Sequence, residues 1–335
     1  MYILYAHGGI KMKHYFILNP AAGSGKFVGE LSRRIVDTCR RKNVDFDIYI
    51  TKKVGDATDF VRRVCLDAPV GETLRFYSCG GDGTNYEVIS GAQGFENVSV
   101  GFIPSGTGND FIRCFEGREC FTDIESQLEG SRETIDLIKC NDRFIMNMLN
   151  TGFDCEAARR AATLKKKPLI SSSMAYIMGV VTELVRKPTT GFTVSIDGGE
   201  AEKKSPLLLA TFSNGRFCGG GFKSSPRARL KDGLIDVCFV KEITRTKFVT
   251  IVGQYRSGVY LSNEKLSNIV EYRRAKTVDV DFGCPHSVCI DGEIFDLEKL
   301  HLEILPESLG IIIPKGARLA ENETEGRELL TLETV

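Results

Sequence analysis

The feature that most constrains this chain is the stretch Leu74 to Glu87, LRFYSCGGDGTNYE. An apolar run carrying Leu74, Phe76 and Tyr77 breaks into Gly80-Gly81-Asp82-Gly83-Thr84, and Asn85, Tyr86, Glu87, Val88 and Ile89 then follow helical spacing. That order predicts a buried strand, a glycine turn and a helix. Glycines at the end of a strand let the backbone turn sharply and approach a ligand with no Cβ in the way. The helix that follows offers unpaired N–H groups and a partial positive charge, so the junction suits a phosphate. Phosphate would repel the Asp82 carboxylate unless a cation lay between them, which points to a magnesium-nucleotide site. Asp-Gly is also one of the commonest turn dipeptides, so the reading needs a second signal.

That signal is Val100 to Phe111, VGFIPSGTGNDF: again an apolar run, a glycine turn and a predicted helix start, with Asn109 or Asp110 as cap. Two such turns, each after an expected parallel strand, place a ligand crevice at the carboxyl ends of a sheet. Upstream, His14 to Leu18 reads as a strand, Leu31, Ile35, Val36 and Cys39 as a helix face, Phe46, Ile48 and Ile50 as a strand, and Gly55-Asp56-Ala57 as the start of a second helix. The βαβα grammar predicts a mostly parallel sheet with helices on both faces.

From about Arg132 the grammar changes. Strand-like stretches accumulate at Thr134–Lys139, Phe144–Leu149, Phe192–Ile196, Leu207–Phe212, Leu234–Val240, Val278–Phe282 and His301–Leu305, interrupted by two helices near Ser173–Arg186 and Thr246–Tyr255. This predicts an antiparallel, β-rich second domain, a sandwich or flattened barrel. The 335 residues suit about two domains.

Lysine plus arginine and aspartate plus glutamate both number 44, so the basic signature of a nucleic-acid binder is missing. Eleven cysteines without any CxxC pair read as reduced thiols in a cytosolic protein. Four histidines, none in a motif, make triad or zinc chemistry unpromising. The stretch Pro168 to Val185 is interrupted by Ser171, Ser172, Ser173, Thr182 and Glu183, so it reads as a helix of a globular domain touching lipid and not as a membrane span. Residues 1–11 lack a signal-peptide pattern, and Met12 is the expected natural start.

GGDGTNYE, IPSGTGNDF and the opening NPAAGSGK at Asn19 to Lys26 together resemble the catalytic domain of the diacylglycerol kinase and sphingosine kinase superfamily, of the bacterial soluble lipid kinase type. GGDG alone is shared with NAD kinases and phosphofructokinases; the three motifs in this order are more specific. The resemblance implies a nucleotide-binding domain over 13–135, completed by 306–320 where GIII at Gly310 to Ile313 crosses back, and a β-rich lipid-binding domain over 136–305, with 1–11 and 321–335 as tails. It implies ATP and Mg2+ as cofactors. Nucleotide contacts would come from Asn19, Thr51, Gly80, Gly81, Asp82, Gly83, Thr84, Thr107 and Asn109. A structural magnesium would be held by Asp232 with the carbonyls of Arg229 and Leu234, in the segment PRARLKDGLID. Glu293, in Asp291-Gly292-Glu293 after the strand Val288 to Ile290, would be the general base, sharing that assignment with Asp82. Read from residues alone, DGE is a hairpin turn and Lys231-Asp232-Gly233 another turn.

The expected reaction is γ-phosphoryl transfer from Mg-ATP to a lipid alcohol, most of all diacylglycerol. The expected place is the cytoplasm, transiently at a membrane surface, with the lipid as partner and no nucleic acid. Oligomeric state is invisible in the sequence, and a homodimer is compatible with it. An NAD kinase is the first rival; its additional Asn-Glu pair has no convincing equivalent, since Asn85 and Glu87 are split by Tyr86. A catalytically silent lipid or nucleotide sensor is the second.

Overall fold

A computed structural model describes residues 12–22, 25–105, 109–164, 178–179, 182–183, 186 and 189–320. Thr107, the Lys165 to Lys167 cluster, most of the Pro168 to Val185 segment and both tails lie outside the described residues. The chain forms two compact units: 1–106 with 119–134 and 308–317, and 107–118 with 135–307 and 318–335.

In the first unit the order is β1 (Met12–Leu18), α1 (Gly25–Lys42), β2 (Phe46–Ile50), α2 (Asp56–Asp67), β3 (Thr73–Gly80), α3 (Asp82–Ala92) and β4 (Val98–Pro104). All neighbours are parallel: β2 beside β1, β1 beside β3, β3 beside β4. Parallel strands covered on both faces read as continuous apolar runs, and Tyr15, Phe16, Ile17 and Leu18 are buried without alternation. The expected α1 face is the buried one: Leu31, Ile35 and Cys39 pack with Phe16, Leu18, Tyr77 and Ile103. The short α4 (Ile124–Leu128) adds Ile124 to that cluster. The end of the chain's longest strand completes the sheet, where Ile311 pairs parallel with Val100.

The second unit is antiparallel. It begins with β5 (Phe115–Glu116), β6 (Ser131–Cys140, shared with the first unit), β7 (Arg143–Ile145), β8 (Met148–Gly152) and α5 (Phe153–Leu164). There follow β9 (Thr190–Ile196), β10 (Glu202–Ser213), β11 (Ile235–Lys241), α6 (Arg245–Ser257), β12 (Val270–Ala275), β13 (Thr277–Ile290) and β14 (Glu293–Ile313). The strand order β12-β11-β10-β8-β13-β14 is antiparallel throughout. The ends of β10 and β13 that do not pair with β8 are joined by β9. Its apolar cluster gathers Phe153, Leu208, Leu209, Cys238, Val240, Ile251, Tyr260 and Leu266.

Several elements differ from the sequence reading; β12 was not expected, and the expected strand Phe144–Leu149 is two strands, β7 and β8. The helix expected after Asn109 or Asp110 is a four-residue 3-10 turn, Phe111–Cys114, with no side-chain cap. Segment 109–118 belongs to the second unit, where the Cys114 carbonyl accepts from Arg216 at 3.1 Å and Arg318 Nε donates to Glu116 at 2.7 Å. The helix α5 was not expected, because beyond Phe153 its buried positions Cys155, Ala157 and Ala161 are small. All eleven cysteines are free thiols, and no described helix is long and apolar enough to cross a membrane.

Candidate active site

In the first unit the carboxyl ends of adjacent parallel strands bring several expected residues together. Asn19, one residue past β1, donates its main-chain N–H to the Cys79 carbonyl at 3.2 Å and its Nδ2 to Thr84 Oγ1 at 3.0 Å. Its Oδ1 accepts from the Ala21 N–H at 2.9 Å. The end of β1 is thereby stapled to the first turn of α3. Thr51, just past β2, is buried and donates its N–H to the Leu18 carbonyl at 2.9 Å. Beyond β4, the Ser105 N–H reaches the Gly80 carbonyl at 3.0 Å.

The turn itself has the form a phosphate requires. Gly81 is the N-cap of α3 in extended conformation, and no side chain caps the helix there. A helix start without a side-chain cap is the kind of terminus whose N–H groups can meet a ligand or water. A Cβ on Gly80 would lie 2.2 Å from Thr84 Oγ1, whereas one on Gly81 would meet nothing within 4 Å. The backbone is thus tightly packed at Gly80 and open at Gly81. Asp82 and Gly83 stand half-buried in the first turn, where the helix dipole favours a carboxylate or phosphate.

The rest of the GGDGTNYE stretch is occupied by packing. Ser78 Oγ donates to Asn85 Oδ1 at 2.7 Å, while Glu87 accepts from the N–H groups of Gly55 at 2.9 Å and Ala57 at 3.1 Å, capping α2 from outside. Asn85 and Glu87 thus hold α3 to β3 and to the start of α2.

In the second unit Asn109 is buried with φ 49°, and the Asp110 carboxylate accepts from the Gly220 N–H at 2.9 Å and from Arg113 Nε at 3.2 Å. Burial pushes the Asp110 carboxyl above the usual range against those donors. The glycine loop at Gly219-Gly220-Gly221 is therefore tied to the segment that follows IPSGTG. Sequence reasoning missed Asp110 as an anchor, because it took the residue for a helix cap.

Glu293 opens β14 directly after a two-residue turn, with Asp291 at φ 45° and Gly292 at φ 91°, the left-handed pair that a tight hairpin demands. Glu293 is exposed. Its position is set by Asp291, which is buried and accepts N–H groups from Met146 at 2.7 Å, Asn147 at 3.0 Å and Met148 at 2.9 Å. Burial outweighs those donors and pushes the Asp291 carboxyl up to about 6. The Asn147 carbonyl accepts from Asn214 at 2.9 Å and Gly215 at 2.8 Å. Asn214 Nδ2 in turn donates to the carbonyls of Asp136 at 2.8 Å and Met146 at 3.0 Å. The Ser213-Asn214-Gly215 loop and the turn before Glu293 are thus one hydrogen-bonded block. A solvated Asp-Gly turn gave no sign that its aspartate points inward.

In PRARLKDGLID, Asp232 accepts from the Leu234 N–H at 3.2 Å and pairs with the Arg274 guanidinium. Gly233 N–H donates to Asp136 at 2.7 Å, as does Glu307 N–H at 2.8 Å. Among the described residues no three His, Cys, Asp or Glu side chains converge on a metal position. One carboxylate with the carbonyls of Arg229 and Leu234 is a sparse donor set for magnesium, and its negative charge is already met by Arg274.

An apolar cavity of about 50 Å3 lies in this unit among Phe153, Leu209, Val240, Phe248, Ile251 and Tyr255. Asp154 is the acidic residue in its wall. Asp154 Oδ2 is sealed from solvent and meets no hydrogen-bond donor among the described residues, and burial pushes the carboxyl up to about 7.

Residues 13–140 match the family model described as diacylglycerol kinase catalytic domain, and residues 147–313 match that of the YegS C-terminal NAD kinase beta sandwich-like domain. The chain is 28% identical over 309 residues to a diacylglycerol kinase of Mycobacterium tuberculosis, covering 89% of this chain and 94% of that one. It is 24% identical over 302 residues to a diacylglycerol kinase of Bacillus subtilis, covering 89% and 95%. Its fold is similar to a crystal structure of a diacylglycerol kinase from Bacillus anthracis, with TM-score 0.65 at 19% identity over 91% of this chain and 98% of that one.

Proposed function

We propose that this chain, which belongs to the diacylglycerol kinase and YegS-type family of lipid kinases, uses ATP to phosphorylate diacylglycerol to phosphatidate. The observation that carries the nucleotide half is the α3 turn, closed against Asn19 at Thr84 and left uncapped at Gly81. Asn19, Thr51, Gly80, Gly81, Gly83 and Thr84, with Thr107 and Asn109, would hold the nucleotide, and Asp82 the catalytic magnesium. Bound magnesium would neutralise charge on the phosphate oxygens as the transfer proceeds.

The acceptor oxygen attacks the γ-phosphorus, the bond to the β-phosphate oxygen breaks to release ADP, and the hydroxyl proton passes to a carboxylate. Glu293 is the proposed base. It is exposed, on a backbone that Asp291 fixes through three N–H groups, so it can reach a substrate without its main chain moving. Positioning and charge neutralisation supply most of the rate in such a transfer. The acyl chains would lie against the apolar wall of the second unit, with the enzyme peripheral to the cytoplasmic face of a membrane. A structural magnesium on Asp232 and the carbonyls of Arg229 and Leu234 would have to share that carboxylate with Arg274.

The test is transfer of labelled γ-phosphate from Mg-ATP to a panel of mixed-micelle lipids and to NAD. Labelled phosphatidate supports the proposal, a different labelled lipid corrects the acceptor, and labelled NADP or nucleotide binding without transfer overturns it.

A further inference from the structure

The helix α6 that walls the apolar cavity presents a second, different face to solvent. Phe248, Ile251, Val252 and Tyr255 line the cavity. Arg245, Val249, Gly253 and Arg256, spaced i, i+4, i+8 and i+11, form a separate stripe flanking the cavity-lining one, about 100° round the helix from it, and all four are exposed. Val249 is 63% exposed, and Val259, just past the Gly258 cap, is 53% exposed. From Lys241 to Ser257 the basic residues are Lys241, Arg245, Lys247 and Arg256, and the acidic one is Glu242. In a chain whose charges cancel, this is a local excess of positive charge around exposed valines.

We propose that this outward face of α6, continued by Val259, is the surface by which the second unit rests on an anionic lipid bilayer. The inference rests on the lipid-kinase reading for its purpose and on the helix for its geometry. Apolar side chains between basic ones on one stripe match a bilayer interface, where valines enter the acyl boundary and arginines stay at the anionic head groups. A soluble partner would demand shape complementarity that a stripe with a bare glycine at its centre does not offer; a Cβ on Gly253 would meet nothing within 4 Å.

The cavity gives the contact a consequence. A cavity of about 150 Å3 is known to hold benzene, whereas this one holds about 50 Å3. An acyl chain is larger than benzene, so it would need the cavity walls to move, and α6 supplies four of the lining residues. Of the thirteen residues of α6, Ile251 is the buried one, and Phe248 and Tyr255 pack half-buried against the cluster, so one face holds the helix and the rest is open to solvent. The element that touches the bilayer is part of the wall that would give way to lipid.

The experiment is sedimentation of the full chain with vesicles of phosphatidylcholine alone and of phosphatidylcholine mixed with phosphatidylglycerol. Each basic residue near an anionic surface adds about fivefold to binding, so Arg245→Gln with Arg256→Gln should weaken partition to the anionic vesicles about 25-fold. Val249→Glu should weaken it at least as much. Arg62→Gln with Arg63→Gln, on exposed positions of α2, should change nothing. Thermal melts establish that the variants fold, and transfer to a short-chain, water-soluble diacylglycerol should be unchanged in all of them. Vesicle binding that follows this pattern without any phosphoryl transfer would leave the surface standing and remove the kinase reading. Wild-type levels of binding by both α6 variants, no binding by the wild type, or a change in self-association in place of vesicle binding would overturn the proposal.

Discussion

Substituting Gly80 by alanine probes the nucleotide turn where its packing is tightest. The new methyl would lie 2.2 Å from Thr84 Oγ1, 2.5 Å from Thr84 Cβ and 2.9 Å from Thr84 Cγ2. Rotating the threonine side chain cannot clear the contact with Cβ, which is fixed to the α3 backbone. Restoring an ordinary carbon contact of roughly 3.5–4.0 Å requires the first turn of α3 to move by about 1 Å or more. Overpacking of this kind costs about 1–3 kcal/mol of stability. A 1 Å displacement of groups that position a reacting phosphate costs about 100-fold in rate. The assay is kcat/KM for Mg-ATP beside a thermal melt, with Gly81→Ala as the stability control, since its Cβ meets nothing within 4 Å. Gly80→Ala should lose about 100-fold in kcat/KM and melt lower, while Gly81→Ala should melt like the wild type. A second change, Thr84→Gly, should recover part of the lost stability. Wild-type kinetics and melting for Gly80→Ala would refute the reasoning.

Three further outcomes are expected. The Asp154 carboxyl is raised from 3.8 to about 7 by burial, so between those values the folded chain keeps a proton that the unfolded chain has lost; stability therefore falls as pH rises through that window and is constant above it. Asp154→Asn should remove this slope and be more stable above pH 7 by on the order of 4 kcal/mol, and urea unfolding at pH 4 and pH 8 that shows no such difference would contradict it. Asp291→Asn turns an amide donor toward one of three main-chain N–H groups, so it should cost about 3 kcal/mol in urea unfolding and lower kcat by displacing Glu293; an unchanged midpoint would count against that anchoring. If magnesium competes with Arg274 for Asp232, added Mg2+ should raise the melting temperature of Arg274→Gln more than that of the wild type, and equal shifts would remove the structural metal from the account.

The parallel unit was legible because its signals are local. Buried runs such as Tyr15–Leu18 and glycine turns at strand ends announce themselves over a few residues, and the α1 face Leu31, Ile35 and Cys39 repeats at helical spacing. The antiparallel unit was legible as a class but not in detail. Its strands β13 and β14 run through irregular stretches where one register shifts between Asp281 and His286, and α5 buries small residues that carry little periodic signal. The carboxylates that anchor backbone in both units were the hardest to see. Asp291, Asp110 and Glu87 all act by accepting main-chain N–H groups from segments distant in sequence. A carboxylate that anchors remote backbone looks, in sequence, like any carboxylate in a turn or on a helix.

The central claim is that the α3 turn binds Mg-ATP and that Glu293 takes the proton of a lipid hydroxyl. The most direct test measures Mg-ATP binding by calorimetry beside labelled γ-phosphate transfer to diacylglycerol, in the wild type and in Glu293→Gln. The account predicts equal nucleotide affinity in both and a loss of transfer in the variant of about 100-fold to 10,000-fold. Transfer by Glu293→Gln at the wild-type rate would contradict it.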